Sequence, residues 1–193
     1  MPEVAAWLAE LSSANTGRAE SAASQPPSDK EKSLAALAEL INEKDPDTRW
    51  WAVRALAEFE SNKAGEWLTD ALNDNDESVQ RCAALSLRKR PHPDSTKNLI
   101  HHLSSADKLL ARLSGDALIA LGESATSALL EVLNASDESA KVEAARALAT
   151  IGDTGSISDL FKLLSSDSAI LEHWANEGLE KMGIGMRFFD PNI

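Results

Sequence analysis

Apolar, small and acidic residues recur along this chain with a period of about 30 residues. An apolar residue lies four positions before each of five aspartates, a small residue seven or eight positions after it, and a leucine eleven or twelve positions after it. The aspartates, at intervals of 31, 31, 30 and 30, are Asp45, Asp76, Asp107, Asp137 and Asp167. The small residues are Ala52, Ala83, Ser114, Ala144 and Ala175. A fixed period in this range is typical of a solenoid of stacked helical repeats.

Each period predicts two helices, A and B, joined by a short loop that contains the aspartate. In the first period the loop is Lys44-Asp45-Pro46, where proline cannot continue helix A but fits the first turn of helix B. The aspartates are expected to cap the B helices, because their carboxylates accept hydrogen bonds from free backbone N–H groups. The small residues are expected to lie where the two helices of a pair approach closely. Glycines are expected to end helix B near Gly122, Gly152 and Gly183.

The pattern divides the chain into four parts. Residues 1–12 predict an amphipathic N-terminal helix, and residues 13–29 are rich in serine and alanine and predict a flexible linker. The repeats occupy residues 30–183 and predict an all-α, right-handed α-α superhelix of about five two-helix repeats. The tail, 184–193, is expected to cap the last open helix face through Met186, Phe188 and Phe189.

Composition narrows the classes of function. The 193 residues carry a formal net charge of -12, whereas nucleic-acid binders usually carry the opposite balance. The N-terminus lacks a basic region typical of signal peptides, and no apolar run approaches the ~18 residues of a membrane span. We therefore expect no nucleic acid partner, no membrane span and a reducing cytoplasmic setting. The single cysteine, Cys82, is expected to be a buried structural thiol.

The repeated unit resembles a known family. The pattern D-x-x-(V/T)-(R/Q)-x-x-A-x-x-x-L is present as Asp45, Thr48, Arg49, Ala52 and Leu56, and it recurs from Asp76 to Leu87. It is similar to the short HEAT-like repeat named after the phycobilisome lyases. The resemblance implies an α-solenoid with the A helices on the convex side and the B helices on the concave side. It also implies a choice of roles among bilin lyases, scaffolds and assembly factors.

Catalytic and metal-binding patterns are missing from the sequence. None of the four histidines, His92, His101, His102 and His173, belongs to an HExxH motif, and one cysteine excludes a CxxC zinc site. No glycine-rich phosphate-binding loop occurs. We expect no enzyme activity, no cofactor and no metal site.

The B helices offer one candidate binding surface. Positions two before and two after the small residue lie four apart and therefore on one helix face. This row contains arginine and tryptophan, which are favoured interface residues. Its candidate partner-binding residues are Trp50, Arg54, Arg81, Arg112, Asp116, Arg146, His173 and Glu177. The alternative is that the arginines only form ion pairs within the protein, such as Arg112 with Asp116 or Glu143.

Tryptophans supply a second candidate. Trp50 is expected to be partly exposed because Trp51 beside it cannot face the same way, whereas Trp67 and Trp174 are expected in the core. The N-terminal helix either caps the first repeat or binds another molecule through its apolar face. In the second case the contacts would come from Trp7, Leu8 and Leu11, and exchange between two copies would give a homodimer rather than a monomer.

These observations predict a non-enzymatic module that binds a protein or peptide on the helix B face. The alternative, which follows from the family resemblance alone, is a bilin lyase-like or other tetrapyrrole-handling factor.

Overall fold

A computed structural model describes residues 2–184, and over this range the chain forms helices joined by short loops. Short 3-10 turns precede three of the A helices, at 93–95, 122–125 and 154–156. The α-helices are α1 (Pro2–Leu11), α2 (Thr16–Ser24), α3 (Lys30–Leu40), α4 (Pro46–Leu56), α5 (Asn62–Ala71), α6 (Glu77–Lys89), α7 (Thr96–His102), α8 (Lys108–Leu121), α9 (Thr126–Leu133), α10 (Glu138–Ile151), α11 (Ile157–Leu163) and α12 (Ala169–Lys181). The odd-numbered helices are the A helices and the even-numbered ones the B helices. The predicted all-α solenoid of helix pairs is confirmed.

The B helices form the more tightly packed layer. Each even-numbered helix from α2 to α12 packs on the next one, whereas the A helices contact one another far less. Each of the five predicted small residues is fully buried, and the leucines four positions later are buried with them.

Four of the five predicted helix caps are present. The carboxylates of Asp45, Asp76, Asp107 and Asp137 accept backbone hydrogen bonds at the starts of α4, α6, α8 and α10. The fifth prediction, Asp167, is wrong: α12 begins one residue later, at Ala169, and Ser168 holds the cap position without a side-chain bond.

The prediction of a flexible linker over 13–29 is wrong, because α2 lies within it. Asn15 caps α2 by accepting from the backbone N–H of Arg18, and three alanines of α2 are buried against neighbouring helices. The α1–α2 pair thus extends the stack, which has six helix pairs within the described residues rather than five. Burial of alanine methyl groups between closely spaced backbones supplies the packing that large apolar side chains supply in the other repeats.

The apolar face of α1 packs within the N-terminal part of the stack. Trp7 is buried and its indole N–H donates to the Ala22 carbonyl oxygen at 2.7 Å, while Leu11 is fully buried and Leu8 packs partly buried against the core. In this structure these three side chains pack against α2 and the core of the stack. The predicted contacts of Met186, Phe188 and Phe189 lie outside the described residues. No helix within residues 2–184 is long and apolar enough to cross a bilayer.

Candidate functional site

Three adjoining depressions run along the exposed face of the B helices. Their volumes are about 350, 400 and 360 Å³ in order from α4 to α12. Arg88 lines both the first and the second, and Thr150 and Trp174 line both the second and the third. Because neighbouring depressions share lining residues, they adjoin one another, and we call the three together the B-helix groove.

The first section of the groove lies between α4 and α6 and has paired charges. Arg54 contacts Glu20 at 3.1 Å and Glu58 at 3.2 Å, and Lys89 contacts Glu58 at 2.6 Å. Burial acts to raise the pKa of Glu58, but the hydrogen bonds from Lys89 and Arg54 outweigh it and hold this pKa below its ordinary value. Leu85 adds an exposed apolar side chain. This section therefore presents an apolar patch between balanced ion pairs.

The second section is organised around the carboxylate of Asp116 on α8. Arg146 is buried, and its Nη1 forms an ion pair with Asp116 at 2.8 Å, while its Nε donates to Glu143 at 2.8 Å. Gly115 makes room for this guanidinium: a Cβ there would lie 2.6 Å from Arg146 Nη2. Arg112 lies 3.7 Å from the same carboxylate. The predicted residues Arg112, Asp116 and Arg146 thus come together at one place.

The third section lies between α10 and α12. The indole of Trp174 forms the wall between it and the second section, and Glu177 lines it on α12 as predicted. The Lys181 ammonium donates to the backbone carbonyl of Thr150, which fixes the far end of the groove. Gly178 allows this close approach of α12, since a Cβ there would lie 2.9 Å from the Cα of Ala149.

Other predicted site residues lie away from the depressions. Trp50 is partly buried and meets Trp51 edge to face at 4.6 Å between ring centroids. Arg81 is held by Asp107 at 2.5 Å and by Glu77 at 3.1 Å, in agreement with the intramolecular alternative for this residue. His173 is exposed beside Trp174, with 5.0 Å between the ring centroids.

Arg88 and Trp174 line the groove although they were not among the predicted site residues. Arg88 lines two sections of the groove and lies 3.6 Å from Asp116. Trp174 was expected in the core but is only partly buried. A signal for Arg88 existed: it lies one helical turn beyond Leu85, and therefore on the same face as the predicted row.

A separate depression of about 480 Å³ lies between α3 and the loop after α4. Lys30, Leu34, Phe59 and Arg90 line it. Although it is larger than any section of the groove, its cations are engaged: Arg90 contacts Glu60 at 2.7 Å, and Lys30 lies over the Phe59 ring. It is also separate from the predicted row, so the B-helix groove remains the better candidate site.

Two buried titratable groups outside the groove have shifted pKa values. Burial raises the pKa of the Cys82 thiol to about 12, so the thiolate form is negligible at neutral pH. His102 is buried, its Nε2 lies 2.8 Å from the Leu72 carbonyl oxygen, and burial lowers its pKa. Over residues 2–184 no three His, Cys, Asp or Glu side chains are grouped so as to hold a metal ion.

Comparison with known proteins identifies the type of repeat. A family model described as HEAT repeats matches residues 33–122. No curated protein matches this sequence.

Similar solved structures share the fold at low sequence identity. An engineered protein has a TM-score of 0.56 and 24% identity, covering 96% of this chain and 100% of its own. A designed armadillo repeat protein in complex with the peptide (KR)4 has a TM-score of 0.53 and 18% identity, covering 93% and 99%. The complex of CpcE and CpcF of phycocyanin lyase from Nostoc sp. PCC7120 has a TM-score of 0.55 and 21% identity, covering 93% and 77%. Residues 33–122 thus resemble HEAT repeats, and the described residues share the α-solenoid fold of these structures.

Proposed function

We propose that this protein is an interaction module that binds an extended segment of another protein in the B-helix groove. The observation that supports the proposal is that the three depressions adjoin one another along the B helices and share the lining residues Arg88, Thr150 and Trp174. A continuous groove suits an extended chain, whereas isolated hollows suit small molecules. A half-buried tryptophan in its wall is the kind of side chain that supplies much of the binding energy at protein interfaces.

The length of the groove limits the number of residues that a bound segment can place in it. Neighbouring packed helices lie about 8–10 Å apart, so four steps from α4 to α12 cover about 32–40 Å. An extended chain advances about 3.3 Å per residue, so a bound segment would place about 10–12 residues along the groove. The designed armadillo repeat protein in complex with (KR)4 supports the idea that this type of fold can accommodate a peptide.

The proposal is tested with a substitution that fills the central section of the groove at an exposed position, outside the core. Ala120 is exposed and lines this section, so the indole in Ala120→Trp would occupy part of its 400 Å³. Peptides of twelve residues are selected from a random display library against the unmodified protein, and their affinities are measured by fluorescence anisotropy. We expect Ala120→Trp to weaken the selected peptides by about 2 kcal/mol or more, because steric exclusion removes a buried central contact.

Ser127→Trp is the matched control, because it places the same new side chain on an exposed position of the A helix α9. It should leave affinity unchanged. Equal binding to all three proteins, or the failure of the library to yield any binder, would count against the groove as the binding surface.

The alternative role is tetrapyrrole handling. It rests on the fold shared with the phycocyanin lyase complex and on arginines beside an indole, groups that could contact the carboxylates and flat rings of a bilin. A bilin mixed with the protein would then show a shifted visible spectrum that Ala120→Trp reduces. An unshifted spectrum would remove this alternative.

A further inference from the structure

The central section of the groove contains more positive than negative charge. Three guanidinium groups, those of Arg88, Arg112 and Arg146, lie within 4 Å of the Asp116 carboxylate, at 3.6, 3.7 and 2.8 Å. Glu143 is the second carboxylate of the cluster, and it contacts Arg146. Three cations against two anions leave a local surplus of one positive charge in a protein whose formal net charge is -12.

The three arginines differ in burial and in how closely they are paired with acidic groups. Arg146 is 4% exposed, pairs with both carboxylates and donates to Glu143 and to the Arg112 carbonyl oxygen, the latter at 3.3 Å, so its role is structural. The side chains of Arg88 and Arg112 are 54% and 50% exposed. At 3.6 and 3.7 Å from Asp116, both are beyond hydrogen-bonding distance. Their N–H groups therefore remain available to a ligand that enters the groove.

Charges elsewhere on this face are paired more closely. Arg81, Lys89 and Arg54 lie 2.5, 2.6 and 3.1 Å from acidic partners. A ligand that approached those cations would have to displace a carboxylate already in contact, whereas Arg88 and Arg112 share one carboxylate that is already committed to Arg146. The charge surplus is thus located in the central section, where Ile119 and Trp174 supply apolar walls.

We infer that the central section recognises a carboxylate, the side chain of an aspartate or glutamate that lies next to an apolar residue in the bound segment. This inference rests on the proposed peptide-binding function and specifies the chemistry of the peptide. Arginine forks match the two oxygens of a carboxylate, and hydrogen bonds between two charged groups are stronger than neutral ones. A surplus of one charge suits a single carboxylate better than a phosphate group, which carries -1.5 to -2.

The experiment uses the peptides selected with the unmodified full chain. Binding is compared between the unmodified protein, the double variant Arg88→Gln/Arg112→Gln and the control Lys63→Gln/Lys97→Gln. The control removes the same charge from the A helices α5 and α7. Each acidic peptide is paired with a synthetic counterpart in which its aspartates and glutamates are replaced by asparagines and glutamines. Circular dichroism confirms that the variants are folded.

We expect the selected peptides to be enriched in acidic residues and to bind the arginine variant about tenfold or more weakly, which corresponds to the loss of one or two charge-assisted hydrogen bonds. The control variant should bind normally. The amide counterpart should bind the unmodified protein more weakly than the acidic peptide does, by a similar factor. The two peptides should bind the arginine variant with nearly equal affinity, because both changes remove the same contact. Added salt should reduce the difference between the acidic and amide peptides.

The possible failures are distinguishable. Peptides that Ala120→Trp excludes but that lack acidic residues, or that bind the arginine variant normally, would overturn the carboxylate inference and leave the groove function intact. Peptides that bind Ala120→Trp normally would overturn both, as would a library that yields no binder.

Discussion

Replacing Arg49 by methionine is expected to lower the free energy of unfolding by about 3–5 kcal/mol, although the residue lies outside the groove. The size of the effect follows from burial, because removing one member of a buried ion pair leaves the other without compensation. Arg49 is 9% exposed and joins the loop before α4 to the loop before α6. The measurement is urea unfolding followed by circular dichroism at 222 nm.

The guanidinium of Arg49 makes five hydrogen bonds to groups of two repeats. Two go to the Asp74 carboxylate, at 2.8 and 2.7 Å, and one to the Asn75 amide oxygen at 3.0 Å. The other two go to the backbone carbonyl oxygens of Glu43 and Lys44 at 2.9 and 3.0 Å. Methionine fills the volume of the aliphatic part but supplies none of these donors, so a carboxylate and two carbonyl groups lose their partners together.

Two further variants separate charge from packing. Arg112→Met makes the same substitution at a half-exposed, loosely paired arginine and should cost ~0–1 kcal/mol. Adding Asp74→Asn to Arg49→Met removes the uncompensated negative charge and should recover part of the lost stability. If Arg49→Met were as mild as Arg112→Met, the loop cluster would not stabilise the contact between these repeats.

The same ion pair predicts a dependence of stability on pH. Hydrogen bonds from Arg49 hold the pKa of Asp74 below its usual value, against the opposing effect of burial. A carboxylate with a lowered folded-state pKa contributes stability above its unfolded-state pKa of about 3.9, and that contribution is lost as the pH falls through the folded-state pKa. Measured from pH 6 down to pH 3, the difference in unfolding free energy between the unmodified protein and Arg49→Met should therefore narrow below about pH 4, while the part due to the two backbone carbonyl groups remains.

The repeat pattern predicted the fold because its anchors act locally. An aspartate at the start of a B helix caps the helix that follows it, and a small residue seven positions later faces the neighbouring helix at a fixed point of the turn. Where the local signal changes, the prediction fails. Near α12 an additional residue separates Asp167 from the small residue Ala175, and the cap position moves to Ser168.

Helix α2 was missed, and α1 was not recognised as part of a repeat, because the anchors of this pair are weaker versions of the same signal. Leu11, Asn15 and Ala22 each lie 30 residues before their counterparts in the first repeat, so the period does extend to them. Asparagine replaces the capping aspartate, and α2 contains no apolar residue larger than alanine. Its burial depends on contacts with α1 and α4, which a local pattern does not contain.

The candidate site could be predicted only in part, for a related reason. The helical period placed Arg112, Asp116 and Arg146 on one face, and the structure brings them together. The distances between repeats determine which arginines pair closely with carboxylates. Arg146 is buried against two carboxylates, whereas Arg88 and Arg112 remain half-exposed. Positions in the sequence do not determine those distances, since 28 to 30 residues separate the partners Arg88, Asp116 and Arg146.

Replacing Trp7 by alanine is expected to release the α1–α2 pair from the stack while the other repeats stay folded. The change removes a buried indole and its hydrogen bond to the Ala22 carbonyl oxygen, at a cost of about 3–5 kcal/mol. In a repeat protein each unit is stabilised by its neighbours, so a terminal pair can open without global unfolding. Hydrogen exchange resolved by peptide should therefore accelerate about a hundredfold or more over residues 2–24, since each 1.4 kcal/mol is worth a factor of ten.

Trp67→Ala serves as the control, because it deletes the same side chain from another A helix, α5. It should accelerate exchange around α5 and leave residues 2–24 unchanged. Hydrogen exchange in the unmodified protein distinguishes the two roles of the N-terminal helix. Slow exchange over residues 2–24 means that the pair caps the stack, and an apolar face closed in this way binds nothing else unless it first opens. Fast exchange there, unaffected by Trp7→Ala, would instead mean that the helix is free in solution and available to a second molecule.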